Sequence, residues 1–298
     1  MKFITWNIRG LNSIHKLDVV RNFVREQNPD FLLLQETKMQ KEKAEQIKAF
    51  KNYTIKASSS EGASGGTMML WRKSSFSGTI LSANKYLMIA KISSSEHKLD
   101  WYIVNIYAPN LKSHRKKVWD EISKFKSLDF SGRWLIMGDF NVPLYDHEKM
   151  GGNASQIEGR MDLREFINKE GLMDLDLHGI QFTWSNKRVG KNCIQARLDR
   201  ALISPDWTKD FVCKLEALQK VGSDHFPLFL NVFKTCSKKN FPFRFEKMWM
   251  QHPQFAGKLE EWWNIKIDGS ALFRVTSKLK NVKKNVKFWN KNCFGNIF

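Results

Sequence analysis

The stretch Trp134-Leu135-Ile136-Met137-Gly138-Asp139-Phe140-Asn141 decides the reading of this chain. Four apolar residues running into Gly describe a buried strand that stops at an edge. Asp139 and Asn141 lie two apart, so extended backbone would point both side chains the same way. One is an anionic acceptor; the other both donates and accepts. At a buried strand end such a pair can hold a divalent cation, a water or a phosphate. The same residues also suit a plain turn, because Gly, Asp and Asn are turn formers.

Working outward, other apolar runs end in polar residues. Residues 3–8 predict a first strand carrying Asn7 and closing on Arg9-Gly10. Leu17, Val20, Phe23 and Val24 recur at helical spacing, and Asn28-Pro29 stops that helix. Residues 30–35 predict a continuous apolar strand that delivers Glu36. Residues 40–50 read as a charged surface helix and 58–66 as a loop. Strands follow at 67–71, 78–82, 86–92 and 101–107, then a helix over 114–126. Residues 142–160, with Gly151-Gly152, read as a long surface loop, and 161–169 as a helix. Strands at 182–184, 196–203 and 226–233 complete the pattern. Two groups of strands with interspersed helices predict two packed sheets flanked by helices.

Composition bounds the partners. The 298 residues carry a formal charge of +19, which favours a polyanion, nucleic acid first. From Lys234 onward there are 14 Lys and Arg against 4 Asp and Glu, a net of +10, leaving 19 − 10 = +9 for the first 233 residues. A boundary is therefore expected between a domain over 1–233 and a basic, aromatic-rich helical tail over 234–298. In that tail Leu272, Val275, Leu279, Val282, Val286 and Trp289 form an amphipathic seam. Met1-Lys2 leads straight into a strand, with no apolar leader, and no stretch approaches a membrane span. Cys193, Cys213, Cys236 and Cys293 form no CxxC pair and read as reduced thiols. The expectation is a monomeric nuclear protein with no membrane partner.

The strand-end residues form a constellation: Asn7, Glu36, Tyr107, Asp139 with Asn141, Asp199, and Asp224 with His225. Each has a bland explanation alone. Asn7 suits a turn, Glu36 a helix cap, Tyr107 ordinary packing, and Asp199 a salt bridge to Arg197 or Arg200. His225 would serve as a satisfied core histidine. Together they would converge on one edge of a sandwich. Clustered carboxylates need a cation or a proton to offset their repulsion. Oxygen ligands suit Mg²⁺ or Mn²⁺. That set fits phosphodiester hydrolysis: a metal neutralises developing charge, a carboxylate or His activates water, and Asn and Tyr donate to phosphoryl oxygens.

The motif order is specific. Thr5-Trp6-Asn7, Gln35-Glu36-Thr37, Asn105-Ile106-Tyr107-Ala108-Pro109-Asn110, Gly138-Asp139-Phe140-Asn141, Arg197-Leu198-Asp199-Arg200 and Ser223-Asp224-His225 resemble the endonuclease/exonuclease/phosphatase superfamily over about 1–233. Within it the chain is most similar to the apurinic-type endonuclease of plant non-LTR (LINE-type) retrotransposons. The resemblance implies an α/β (α+β) four-layered, DNase I-like sandwich with two packed mixed β-sheets flanked by helices. It implies a Mg²⁺-dependent endonuclease that nicks double-stranded DNA and leaves a 3′-hydroxyl. Glu36 and Asn7 would hold the metal, with Asp139, Asn141, Asp224 and His225 contributing. Tyr107, Asp139, Asn141, Asp199 and His225 would be catalytic, with Asp199 paired to His225 and either Asp139 or His225 as the base.

Arg9, Asn110, Thr183, Lys187, Arg188, Lys191 and Ser223 would contact DNA, several of them from a hairpin over 179–195 laid against the minor groove. Repair enzymes usually carry Asp where Arg9 stands, which weakens an abasic-site repair reading. That reading and a phosphatase remain the alternatives within the superfamily, and a catalytically silent DNA-binding relic is the alternative outside it. Phe241-Pro242-Phe243-Arg244-Phe245 and Trp289-Asn290-Lys291 resemble the linker ahead of a reverse transcriptase, so the expectation is a truncated element or a fragment of one.

Overall fold

The computed structural model describes residues 1–62, 64–94, 100–129, 132–152, 159–234, 245, 249–250 and 252–293. They divide into two compact units, Met1–Thr235 and Cys236–Phe298. In the first, the elements in order are β1 (Lys2–Asn7), α1 (Ile14–Gln27), β2 (Phe31–Gln35), α2 (Lys41–Glu45), β3 (Tyr53–Ala57), β4 (Thr67–Arg72), β5 (Phe76–Ala83), β6 (Leu87–Ser94) and β7 (Asp100–Tyr107). There follow α3 (Lys112–Leu128), β8 (Arg133–Asp139), β9 (Lys149–Met150), α4 (Arg160–Lys169), β10 (Met173–Asp174), β11 (Leu177–His178), β12 (Trp184–Ser185), β13 (Gln195–Ala196), β14 (Asp199–Ile203), α5 (Pro205–Asp210), β15 (Phe211–Ala217) and β16 (Leu228–Lys234).

Of the two large sheets, one runs β11-β15-β16-β1-β2-β4-β3 and the other β10-β14-β8-β7-β6-β5, and β12-β13-β9 form a small third. Both are mixed: β1 and β2 are parallel in the first, β7 and β8 in the second. Strand alternation builds the layers. Phe3, Phe31 and Leu33 meet Met88, Ile103, Leu135 and Met137 between the sheets. Ile4, Trp6, Leu32 and Leu34 point the other way onto Val20 and Phe23 of α1. Val104, Ile106, Trp134 and Ile136 pack on Val118, Trp119 and Ile122 of α3 and Leu163 and Phe166 of α4. Helices, sheet, sheet and helices give the expected four layers. Each fully buried large apolar side chain stabilises by about 1.5–3 kcal/mol.

Helix α1 starts where Ser13 accepts from Lys16 N and ends at Asn28, in the left-handed region (φ 46°), ahead of Pro29. A polar tie crosses the sandwich interior. Gln35 Nε2 donates to Thr5 Oγ1 (2.8 Å) and across to Asn105 Oδ1 (2.7 Å), and Asn105 Nδ2 donates to Leu34 O and Met68 O. All three side chains are buried.

Several expectations need correction. The helix over 40–50 is α2 plus a separate turn of 3₁₀ helix, Lys48–Phe50. The run 196–203 breaks at Arg197-Leu198 into β13 and β14. The strand at 182–184 shrinks to Trp184–Ser185. β3, α5 and β15 have no counterpart in the sequence reading. Within 142–160 lie a 3₁₀ turn, Asp146–Glu148, and β9; positions 153–158 fall outside the described residues, as do Cys236 and 241–244.

In the second unit, α6 (Phe255–Trp263) and α7 (Ala271–Cys293) pack through Trp249, Phe255, Val286 and Trp289. Only the C-terminal half of the expected seam is used: Leu272, Val275 and Leu279 are exposed. Among the described residues no helix is long and apolar enough to cross a membrane.

Candidate active site

The parallel pairs explain where the polar residues gather. β1 and β2 end together at Asn7 and Gln35, and β7 and β8 end together at Tyr107 and Asp139. Asp199 opens β14 directly opposite Asp139, and His225 precedes β16, the antiparallel neighbour of β1. A cavity of about 400 Å³ lies at this edge, lined by Asn7, Glu36, Tyr107, Asp139, Asn141 and His225, with Arg9, Asn110, Ser64, Trp184 and Leu198.

The backbone is unusual here. Arg9 (φ 53°), Glu36 (φ 52°) and Asn141 (φ 52°) all adopt left-handed conformations just past a strand end. For side chains other than Gly this costs roughly 1–2 kcal/mol each. Asn141 therefore does not share an extended face with Asp139, which corrects the two-residue argument. It turns back: its backbone N donates to Asp139 Oδ1 (2.8 Å) and its Nδ2 to Ala108 O (2.7 Å). Gly138 (φ 145°) is required, because a Cβ there would run into Ile106 O of the adjoining strand.

A chain of buried groups runs Asp199, His225, Asp139, Asn7. His225 Nδ1 lies 2.9 Å from Asp199 Oδ2 and Nε2 lies 3.8 Å from Asp139 Oδ2. Asn7 Nδ2 donates to that same Asp139 oxygen (2.9 Å). Burial lowers the basicity of His225, but the charges of Asp199 and Asp139 outweigh it and raise the imidazole to about 9. Burial raises the Asp139 carboxyl to about 7, against the pull of His225. Burial also raises the Tyr107 phenol, as do the charges of Glu36 and Asp139, so it stays a neutral donor.

Glu36 faces Arg9 Nε at 3.8 Å and Lys38 Nζ at 3.2 Å. Arg9 also bonds Asp224, which accepts from Trp184 Nε1 (3.0 Å) as well. Burial works to raise the Asp224 carboxyl, yet the Arg9 hydrogen bond, His225 and Trp184 hold it below its ordinary value. Asp224 is thus placed as the partner of Arg9 and Trp184.

Asp139, Asp199 and His225 offer ligand atoms within 4.8 Å of one another, a geometry that could hold a metal ion. Both His225 nitrogens already face carboxylates, so this trio reads better as a proton relay. The cavity's oxygen donors, Glu36, Asn7 and Asp139, are the chemistry a hard divalent cation takes, and no thiol intrudes. The residues therefore fit such a cation.

Two expected DNA contacts are buried instead. The Thr183 hydroxyl accepts from the backbone N of Leu198 (2.9 Å) and Asp199 (3.0 Å). Ser223 Oγ donates to Asn7 O (2.7 Å) and accepts from His225 N. Both hold the site from behind. β12 and β13 do form a hairpin, with Lys187, Arg188 and Lys191 exposed at its tip. The sequence reading missed Trp184, which bridges to His225 through the backbone, and Leu198, which lines the cavity in the break between β13 and β14.

The model of the Endonuclease/Exonuclease/phosphatase family matches residues 4–225. An exodeoxyribonuclease of Bacillus subtilis is 22% identical over 252 residues, 76% of this chain and 98% of its own. A DNA-(apurinic or apyrimidinic site) endonuclease of Dictyostelium discoideum is 26% identical over 255 residues, 76% of this chain and 69% of its own. Among solved structures, the endonuclease domain of TRAS1, a telomere-specific non-LTR retrotransposon, superposes with a TM-score of 0.61 at 14% identity, covering 78% of this chain and 97% of that one.

Proposed function

Because this chain belongs to the endonuclease/exonuclease/phosphatase family, we propose that it is a divalent-metal-dependent DNA endonuclease that nicks one strand and leaves a 3′-hydroxyl. The observation that carries the reading is the Asp199–His225–Asp139 relay, set against Asn7, Glu36 and a neutral Tyr107 in one cavity. Glu36, Asn7 and Asp139 would hold Mg²⁺ or Mn²⁺, which supplies charge neutralisation at the phosphoryl oxygens. Asp139, its carboxyl raised toward neutrality, accepts a proton from the attacking water. His225, kept cationic by Asp199, and Tyr107 donate to the phosphoryl oxygens as charge develops. Asn141, pinned to Ala108, keeps the Asp139 carboxylate oriented. The exposed Lys187, Arg188 and Lys191 neutralise flanking phosphates, and Asn110 at the cavity mouth contacts the strand.

The retrotransposon type is supported by Arg9, which stands where the resemblance implies that repair enzymes usually carry Asp, and is spent on Asp224 and Glu36. In that setting the enzyme would be nuclear and monomeric, and would work beside a reverse transcriptase domain. The repair reading draws on the 26% identity to the Dictyostelium apurinic endonuclease. Supercoiled-plasmid nicking with Mg²⁺, and with EDTA, tests the main reading. Metal-dependent conversion to open circles supports it, and intact plasmid under every metal overturns it. An abasic duplex then separates the types: cleavage at the abasic site far faster than plasmid nicking favours repair.

A further inference from the structure

We infer that the polar face of α7 is a binding surface for single-stranded nucleic acid, separate from the cavity of the first unit. This helix of 23 residues carries seven Lys and Arg and no Asp or Glu. The C-terminal half of its apolar face is covered, since Val282, Val286 and Trp289 pack on Phe255 and Trp262. Lys280, Lys284 and Lys287 stand at i, i+4 and i+7, so they form one stripe on the opposite side. All three are exposed, and no carboxylate partners them among the described residues.

Charge alone would make this a solvated face. Two aromatic rings change the reading. Phe273 lies two turns before Lys280 on the same stripe and is 56% exposed; Phe288 lies one turn beyond Lys284 at its edge and is 70% exposed. Exposed rings interleaved with cations are the combination that binds single strands, with phosphates on the lysines and bases stacked on the rings. A duplex hides its base faces and would leave both rings in water. From Phe273 to Phe288 the helix runs about 22 Å, a length on the order of four nucleotides.

The test uses the full chain and fluorescence anisotropy with labelled U20 RNA, T20 DNA and a 20-bp duplex across a salt series. The triple variant Lys280→Gln, Lys284→Gln, Lys287→Gln should weaken single-strand binding at least tenfold and reduce the log–log salt slope by about 2. Phe288→Ala should weaken it about fivefold, and equally at high salt, because stacking is not screened. A charge-matched control, Lys41→Gln, Lys43→Gln, Lys51→Gln, should stay within twofold of wild type. Loss on both RNA and DNA supports the inference, and the tighter of the two names the strand. Triple-variant affinity within twofold of wild type, or a larger loss on the duplex than on the single strands, overturns it. Unchanged oligonucleotide binding with lost binding to phosphatidylserine vesicles overturns it in favour of a membrane surface.

Discussion

Strand β14 separates two clusters of charge that share a few residues of chain yet behave oppositely. Arg200 bonds Glu148 and Asp174, and Arg197 reaches the same two carboxylates at 3.4 and 3.2 Å. Two cations meet two anions, and Glu148 also accepts from the backbone N of Leu144 and Tyr145. Between those arginines sits Asp199, which ignores both and joins His225 and Asp139 instead. There two carboxylates share one imidazole, and the Asp139 carboxyl is raised. Glu148 is instead held below its ordinary value: burial opposes its charge, but the Arg200 hydrogen bond and charge, the Leu144 N–H and Arg197 together outweigh it, while burial raises the more exposed Asp174 against both arginines. The lesson is one of balance. A neutralised buried cluster is scaffold; one with carboxylate to spare awaits a cation or a proton.

The comparison breaks first at the relay. Asp139→Ala or His225→Ala should lower plasmid nicking by a factor of about 10³ or more, and Asp139→Ala, which removes a carboxylate whose charge burial penalises, should leave urea unfolding within roughly 1 kcal/mol of wild type. Glu148→Gln should do the reverse to stability. It leaves the buried Arg200 and the partly buried Arg197 short of an anion, at a cost of about 3 kcal/mol, read from the urea midpoint. If Glu148→Gln unfolds like wild type, the quartet is not scaffold.

A pH series sharpens the contrast. The His225 pKa is raised to about 9, above the unfolded value near 6.5, so its contribution to stability is complete below pH 6.5 and is lost as pH rises through 9. Glu148 runs the other way: its contribution is present above the unfolded value near 4.5 and is lost as pH falls through the depressed one. In calorimetry, His225→Gln should flatten the alkaline fall in Tm, and Glu148→Gln the acid one. The smallest effect is expected from the tail. A chain ending at residue 235 should melt within about 2 °C of the full chain; a much larger drop would tie 236–298 to the core of the first unit.

What could be read in the sequence follows from burial. β1, β2, β7 and β8 are apolar on both faces because each lies between two layers, and such runs announce themselves. β3 is half-buried almost throughout with Thr54 and Lys56 in its run, and β15 exposes Val212 and mixes Lys214 and Glu216 into its alternation, so neither stands out. The site residues were legible because they terminate apolar strands. Thr183 and Ser223 were assigned to the surface because a hydroxyl looks the same in a sequence whether it meets DNA or a buried backbone N–H. Thr5, Gln35 and Asn105 were visible as parts of motifs, but their mutual bonds span 30 and 70 positions of chain and needed the fold.

That tie has a mechanical consequence. It pins the two sheets together a residue or two behind Asn7, Glu36 and Tyr107, so the cavity edges cannot part like jaws. If the chain nicks duplex DNA as proposed, the duplex must itself supply the deformation. Steps that kink cheaply, such as TA and CA, would then be cut in preference to stiff tracts, without a single base being read.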